Sequence, residues 1–181
     1  MDPISPHRGD WPGAVPLTQI IDSTLGVAHL TAIMILVHGT TVALDGEGVL
    51  LRGPSGSGKS DLALRLVDGG ARLVADDQTE LTRSPNGPIA RSPASIAGRM
   101  EVRGVGILKV PSVPSAPVRL VVDLVPPDRV ERLPEPRFCK YLQCSLPLLA
   151  LVPFEASTPA KIRLALASLV QTTTLPIVGT P

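Results

Sequence analysis

The stretch V-L-L-R-G-P-S-G-S-G-K-S-D-L-A-L-R-L-V, residues 49–67, decides how this chain folds around its chemistry. Its middle part, Gly53 to Ser60, matches the pattern G-x-x-x-x-G-K-[ST] of a phosphate-binding loop, or P-loop. A short apolar strand pattern precedes the loop, and a helical pattern follows it from Ser60 to Val67. Glycines let successive backbone N–H groups face one concavity, and the positive N-terminus of the helix adds to the same anion site.

We expect ATP and Mg²⁺ to bind at this loop. Lys59 is placed to reach the β- and γ-phosphates, and the Ser60 hydroxyl to hold Mg²⁺. A glycine-rich turn without a ligand is the alternative interpretation. The residues predicted to bind the nucleotide are Gly53, Pro54, Ser55, Gly56, Ser57, Gly58, Lys59 and Ser60.

Composition limits the possible partners and compartment. The 181 residues suit one ordinary domain, and a net charge of +1 provides no field that would gather nucleic acid or an anionic membrane. Cys139 and Cys144 have no matching Cys or His cluster, which argues against a disulfide framework and a zinc site. The longest apolar run, residues 30–37, is too short to cross a bilayer, and residues 1–11 lack a secretory signal. We therefore expect a cytoplasmic protein with neither a nucleic-acid nor a membrane partner.

The chain has twenty prolines, and most of them fall in five clusters that mark loops between apolar runs. We expect a flexible leader over residues 1–22, a folded domain over 23–172 and a tail over 173–181. Strands outnumber helices, which favours an α/β class with a central sheet that carries the site at its strand ends. The predicted strands are 32–37 paired with 41–44, then 49–51, 71–75, 79–82, 118–125 and 146–152; the helices are 60–67 and 159–170; a loop is expected over 84–93.

Two adjacent carboxylates, Asp76 and Asp77, follow the strand predicted over residues 71–75. A nucleotide site needs a carboxylate near the loop to complete a magnesium shell. Because neighbouring residues of an extended strand point to opposite sides, one aspartate can face the metal while the other takes the proton of a hydroxyl acceptor. A capping or turn role in solvent is the alternative.

His38 and Glu101 are further candidates. His38 ends an apolar strand and precedes Gly39, so its ring is able to contact phosphate or tune the aspartates, although a lone histidine is more often structural. Glu101 and Arg103 lie two residues apart and share a face if the backbone is extended. By itself this pattern is also that of a solvated strand edge.

Taken in order, four motifs resemble the catalytic domain of HPr kinase/phosphorylase. They are His38-Gly39-Thr40, the loop from Gly53 to Ser60, Val74-Ala75-Asp76-Asp77, and Glu101 to Ile107. The resemblance runs from about residue 25 to 125 and more weakly to the last helix, so that 23–172 is expected to be the catalytic domain. It implies a fold similar to phosphoenolpyruvate carboxykinase around the P-loop. It also implies phosphorylation by ATP of a serine on HPr, the small phosphocarrier of the sugar phosphotransferase system.

The same resemblance implies roles for single residues. Asp76 matches the base that activates the target serine and that acts as an acid when inorganic phosphate reverses the reaction. Ser60, Asp77 and Glu101 match the residues around Mg²⁺. His38 matches a histidine beside the phosphates, so the catalytic set is Asp76, His38 and Lys59.

The sequence also departs from the family pattern. It shows no counterpart of the separate N-terminal domain of full-length relatives, which is typical of the short alphaproteobacterial form without regulation by that domain. Residues 153–157, P-F-E-A-S, stand where many relatives have the arginine-bearing segment Pro-x-Arg-Pro-Gly-Arg. The reverse, phosphorylase direction then depends on a substitute cation such as Arg137 or Lys140. The tail is short, so both a monomer and a homo-oligomer are compatible with the sequence.

The sequence favours an ATP- and Mg²⁺-dependent protein serine kinase that acts on HPr or a related phosphocarrier. One alternative is a catalytically weak, ATP-sensing regulatory module that acts through a partner protein. Intact Ser60, Asp76, Asp77 and Glu101 argue against that module, since a pure sensor needs no base facing an acceptor. Another alternative is a small-molecule kinase, with Arg99 and Arg103 as the basic candidates close to the motifs.

Overall fold

A computed structural model describes residues 14–16 and 33–174, with side chains described from 33 to 171. Over these residues, ten strands join into one mixed sheet and two more form a separate hairpin. The strands are β1 Ala14–Pro16, β2 Met34–His38, β3 Thr40–Leu44, β4 Glu47–Arg52, β5 Arg72–Ala75, β6 Gln78–Ser84, β7 Gly87–Arg91, β8 Arg99–Val102, β9 Gly106–Lys109, β10 Ser115–Leu124, β11 Arg137–Tyr141 and β12 Cys144–Leu151; the helices are α1 Lys59–Asp68 and α2 Thr158–Thr174.

The long strand β10 holds the sheet together. Its first residues, 115–117, pair antiparallel with β7, and its later residues pair in parallel with β4 on one side and β12 on the other. The neighbours run in the order β1-β2-β6-β7-β10-β4-β3-β5, and β11 pairs with β12. The parallel part brings the ends of β4, β10 and β12 to one edge. The expected mixed α/β class with a central sheet is thus confirmed.

The central strands are buried on both faces, which explains their continuous apolar runs. Val49 and Leu51 of β4 face one core cluster, whereas Leu50 between them faces the other. Helix α1 covers the first face with Leu62 and Leu66, both fully buried. Helix α2 packs Ile162 and Leu166 into the same cluster. Because β4 is fixed between two cores, the loop that follows it has a rigid base.

Helix α1 has the ends that its sequence predicts. Gly58, at φ 89°, precedes its first turn, and the Gly69 N–H donates to the Arg65 carbonyl at 3.1 Å after its last. The Gly70 N–H donates to the Val67 carbonyl at 2.9 Å, which closes the helix before β5 begins. Within the described residues 14–16 and 33–174, no helix is long and apolar enough to span a membrane.

The expected pairing of residues 32–37 with 41–44 is wrong. β2 pairs antiparallel with β1 and β6, and β3 pairs with β4 and β5. One residue, Gly39, separates β2 from β3, and the tight hairpins that join paired strands need at least two. The chain therefore crosses at Gly39 from one part of the sheet to the other. A Cβ at this position would lie 2.9 Å from the Leu51 carbonyl oxygen, so the crossing leaves no room for a side chain.

The expected loop over residues 84–93 is also wrong, because it contains strand β7. Pro88 pairs with Arg83 of β6, but the pairing of β7 with β10 runs only over residues 89–91. The missing N–H of Pro88 therefore costs no bond to β10. β11 is a further strand that the proline clusters concealed. The predicted leader and tail lie outside the described residues except for Ala14–Pro16, which pairs with β2, and the helical residues 173–174.

Candidate active site

A cleft of about 810 Å³ opens where β4 ends and α1 begins. The glycine-rich loop, the turn after β5, the hairpin β8–β9 and the segment between β12 and α2 all contribute to its walls. Its lining residues are Ser55, Gly56, Gly58, Lys59, Ser60, Asp61, Leu64, Asp76, Asp77, Gln78, Ser95, Ile96, Arg99, Glu101, Val102, Arg103, Ile107 and Phe154. Most of the residues singled out from the sequence therefore meet in one place.

The loop has a backbone that its glycines make possible. Gly56 and Gly58 have φ values of 79° and 89°, a region that side chains strongly disfavour. The Ser57 N–H donates to the Pro54 carbonyl at 3.1 Å and tightens the turn. The Ser57 Oγ is buried without a hydrogen-bond partner among the described residues. It packs against the Gly53 backbone, where a built Cβ would lie 2.5 Å from it, and Ser57 is not among the residues that line the cleft.

Lys59 is a buried cation whose hydrogen-bond partners among the described residues include no carboxylate. Its Nζ donates to the carbonyls of Gly53 at 3.0 Å and Pro54 at 3.1 Å, and lies 3.1 Å from His38 Nε2. Burial lowers the pKa of Lys59, and the charges of Asp77 and Asp76 oppose that shift. The ammonium is thus held at the loop by neutral groups, which leaves its charge available to an anion.

Asp76 is a buried carboxylate fixed by three donors. Its Oδ1 accepts from Thr40 Oγ1 and from Ser60 Oγ, both at 2.9 Å. Its Oδ2 accepts from the Glu101 backbone N–H at 3.3 Å. The carboxylate therefore connects β3, the first turn of α1 and the hairpin β8–β9. Its bond to Ser60 holds it next to the helix start that also carries Lys59.

Asp77 lines the same cleft but, unlike Asp76, is exposed to solvent. β5 ends at Ala75, and Asp77 has a left-handed backbone with φ 63°. The expected alternation of the two aspartates along an extended strand is wrong, because both lie in the turn between β5 and β6. The Asp77 side chain is 65% exposed, and its Oδ1 lies 3.4 Å from His38 Nδ1. His38 thus lies between Lys59 and Asp77, a role for which its position at a strand end gave only a weak signal.

Glu101 reaches the site through its backbone, and its exposed side chain also lines the cleft. Within residues 33–171 no three His, Cys, Asp or Glu side chains are close enough together to hold a metal. Ser60, Asp77 and Glu101, the predicted metal ligands, nevertheless all line the one cleft. Their oxygen atoms are of the hard type that Mg²⁺ prefers, so the residues present fit that ion.

Sequence reasoning gave no role to Thr40 or Phe154, although both belong to the site. Thr40 is fully buried and donates to Asp76, and its Oγ1 also accepts from the Asp77 N–H at 3.3 Å. In the sequence, Thr40 stood out only as the last residue of the motif His38-Gly39-Thr40, without a role of its own. Arg137 and Lys140, considered as substitute cations, lie on β11 and do not line the cleft, whereas Arg99 and Arg103 do.

A strand, a glycine-rich loop and a helix that bring a buried lysine and a fixed carboxylate to one cleft define a mixed α/β protein suited to an anionic ligand. The sequence model of the HPr serine kinase C-terminal domain matches residues 29–133, which is more than half of the chain. The chain therefore belongs to the HPr serine kinase C-terminal domain family. The resemblance noted from its four motifs is confirmed.

Individual relatives agree with this assignment. The HPr kinase/phosphorylase of Clostridium acetobutylicum is 43% identical over 77 residues, 42% of this chain and 25% of the relative. That of Halalkalibacterium halodurans is 46% identical over 95 residues, 52% of this chain and 29% of the relative. The matches thus span only about a quarter to a third of these relatives' length.

A solved structure shares the fold. The Hpr(Ser) kinase/phosphatase from Coxiella burnetii superposes with a TM-score of 0.62 at 29% sequence identity. The match covers 76% of this chain and 89% of that one. The mixed sheet and its helices are therefore those of a known kinase/phosphatase structure.

Proposed function

We propose that the chain is an ATP- and Mg²⁺-dependent protein serine kinase that phosphorylates HPr or a related phosphocarrier. Family membership and the names of the relatives support this proposal. The observation that carries it is the buried Asp76 carboxylate, hydrogen-bonded at 2.9 Å to Ser60 in the same cleft as Lys59. A fixed proton acceptor beside a phosphate loop is what transfer to a hydroxyl requires.

In this proposal the loop and the start of α1 hold the nucleotide phosphates. Backbone N–H groups, the helix N-terminus and the Lys59 ammonium neutralise their charge. Ser60, Asp77 and Glu101 would hold Mg²⁺, which supplies further positive charge on the β- and γ-phosphates when it is bound.

Asp76 acts on the acceptor. The serine oxygen forms a bond to the γ-phosphorus, the bond from that phosphorus to the bridging oxygen breaks, and ADP leaves with its electrons. The serine proton passes to Asp76. Donors on both oxygens of Asp76 fix its orientation, which lowers the reorganisation that proton transfer needs.

Reversal by inorganic phosphate is part of the same proposal. Phosphate as the attacking group brings additional negative charge into the cleft, which a nearby cation must stabilise. Arg99 and Arg103 line the cleft and have that charge.

Asp76→Asn tests the proposed role of Asp76. The purified chain is mixed with labelled ATP, Mg²⁺ and an HPr-type phosphocarrier, and acid-stable phosphoserine is measured. We expect Asp76→Asn to bind ATP but to transfer phosphate about 10²- to 10⁴-fold more slowly. Asp45→Asn is the matched control, because Asp45 is an exposed turn residue away from the cleft whose positive φ also suits asparagine.

Other outcomes would contradict the proposal in different ways. Undiminished transfer by Asp76→Asn would remove Asp76 from its role. A wild-type chain that binds ATP tightly but labels no phosphocarrier would favour an ATP-sensing module instead. Adding inorganic phosphate without ADP to the labelled phosphocarrier tests the reverse direction: a phosphate oxygen attacks the phosphoserine phosphorus, the serine oxygen leaves and takes a proton, and labelled pyrophosphate forms. Arg103→Met should slow that direction more than the forward one.

A further inference from the structure

An exposed aromatic ring lines the cleft and has no part in the proposed phosphate chemistry. Phe154 lies between β12 and α2 and is 65% exposed. A single exposed apolar residue is common on protein surfaces, so it is the position of this ring inside the cleft that points to binding. The other phenylalanine, Phe138, is 62% exposed, but it lies on β11 and does not line the cleft.

The backbone on both sides of Phe154 is held in place. Arg65 of α1 donates to the Pro153 carbonyl and, at 3.2 Å, to the Glu155 carbonyl. The Thr158 Oγ1 donates to the Val152 carbonyl at 2.6 Å. Since the helix that carries Lys59 and Ser60 also anchors this segment, the ring has a fixed position relative to the loop.

The ring touches the loop itself. A Cβ built on Gly58 would lie 2.8 Å from Phe154 Cζ and 3.0 Å from Cε1, which means that the ring packs directly on the Gly58 backbone. Leu64 lies one helical turn beyond Ser60 on the same face of α1 and also lines the cleft. An apolar wall thus begins where the predicted phosphate site ends.

We propose that Phe154 is the platform on which the nucleobase of the bound nucleotide stacks. This inference rests on the proposed function, since it takes the triphosphate to lie in the loop. A nucleotide held there by its phosphates places its ribose and base beyond the loop, and Phe154 lines the same cleft, 65% exposed, with its Cζ and Cε1 atoms next to Gly58. An aromatic ring can stack on any nucleobase, because every base has a π-face. The platform gives affinity for a nucleoside triphosphate over a bare polyphosphate.

Two ligands separate this role from support of the loop. Binding of ATP and of tripolyphosphate, each with Mg²⁺, is measured by calorimetry for the wild type, Phe154→Ala and Phe154→Tyr. We expect Phe154→Ala to weaken ATP binding about tenfold and to leave tripolyphosphate binding unchanged, and Phe154→Tyr to bind ATP like the wild type. Leu133→Ala is the matched control, because Leu133 is 89% exposed and does not line the cleft.

Three results would overturn the platform. The first is unchanged ATP affinity in Phe154→Ala, and the second is an equal loss for ATP and tripolyphosphate, which would make the ring a support for Gly58. The third is an increased KM for the phosphocarrier with unchanged ATP affinity, which would make this face a docking site for the acceptor. A wild type that binds neither ligand would instead overturn the proposed function on which the platform rests.

A spectroscopic test is independent of affinity. Trp11 is the only tryptophan in the chain, so Trp11→Phe combined with Phe154→Trp places a single indole at the platform. ATP should quench its fluorescence, and tripolyphosphate should not. Trp11→Phe with Leu133→Trp is the control and should respond to neither. Equal responses to both ligands at position 154 would contradict stacking.

Discussion

Two cations flank the glycine-rich loop, and their surroundings differ. Arg52, the last residue of β4, makes a bidentate pair with Asp123, with Nε to Oδ1 at 2.7 Å and Nη2 to Oδ2 at 2.8 Å. Among the described residues, the hydrogen-bond partners of Lys59, at the start of α1, are two carbonyl oxygens and an imidazole. The comparison suggests a division of roles: a cation satisfied by the protein fixes the loop, while a cation without a carboxylate hydrogen-bond partner among the described residues is available to the anionic ligand that we propose.

The structural role of Arg52 extends over three strands. Its Nη1 donates to the Tyr141 hydroxyl at 2.9 Å, and its guanidinium lies 5.7 Å from the centre of that ring. Burial acts to lower the pKa of Arg52, but the hydrogen bonds to Asp123 and Tyr141 outweigh it and raise the pKa above its ordinary value. Arg52 thus joins β4 to β10 and β11 directly before Gly53.

Among the variants that test this comparison of Lys59 with Arg52, substitution of Lys59 should have the largest effect. Lys59→Met should reduce phosphoryl transfer by about 10²- to 10³-fold, because it removes a positive charge from the phosphates. It should not reduce the free energy of unfolding, since it also removes a buried charge. Transfer assays, ATP calorimetry and urea denaturation measure these effects, with Lys140→Met, an exposed residue outside the cleft, as the control. Wild-type ATP affinity in Lys59→Met would contradict the comparison.

Arg52 should show the opposite pattern. Arg52→Met leaves the largely buried Asp123 without its partner and should lower the free energy of unfolding by about 2–3 kcal/mol. Adding Asp123→Leu should recover part of that loss, as the unpaired charge is then gone. Arg119→Met, which breaks a more exposed pair with Glu47, should cost about 0.5 kcal/mol in the same urea titrations. Equal losses of unfolding free energy in Arg52→Met and Arg119→Met would contradict a special structural role for Arg52.

The smallest effect concerns alkaline pH and Tyr141. Burial raises the pKa of Tyr141, although nearby Arg52 opposes the shift. The folded state therefore keeps a proton that the unfolded state has already lost, and stability falls as the pH rises above the ordinary tyrosine value of about 10. Burial also raises the pKa of Cys139, which acts in the same direction. Tyr141→Phe should lose less stability than the wild type between about pH 9 and 11; an identical loss would contradict this.

Local patterns predicted much of the site. The loop, helix α1 and the strand before Asp76 follow from short-range rules of glycine placement, capping and apolar periodicity. Lys59 follows β4 and Asp76 follows β5, and only β3 lies between these two strands in the sheet. Because short connections keep neighbouring elements together, both residues reach one cleft.

Long-range pairing was harder to predict. The prolines at 85–93 concealed β7, because proline usually marks a loop. Pro88 is tolerated in this strand because it pairs only with β6, so its missing N–H removes no hydrogen bond to β10. β2 and β3 are close in sequence but pair with different strands, which no local pattern encodes. The contact of Phe154 with Gly58 joins residues almost a hundred positions apart, so only the folded chain reveals it.

The backbone of Asp77 also bears on how its substitutions are interpreted. Its φ of 63° lies in a region that asparagine and glycine tolerate far better than β-branched residues do, and its carbonyl accepts from the Gly39 N–H at 2.9 Å. Replacement by valine would therefore disturb the path of the chain between β5 and β6 as well as remove a charge. Asparagine is the substitution that separates the two effects, because it keeps the conformation and deletes only the carboxylate.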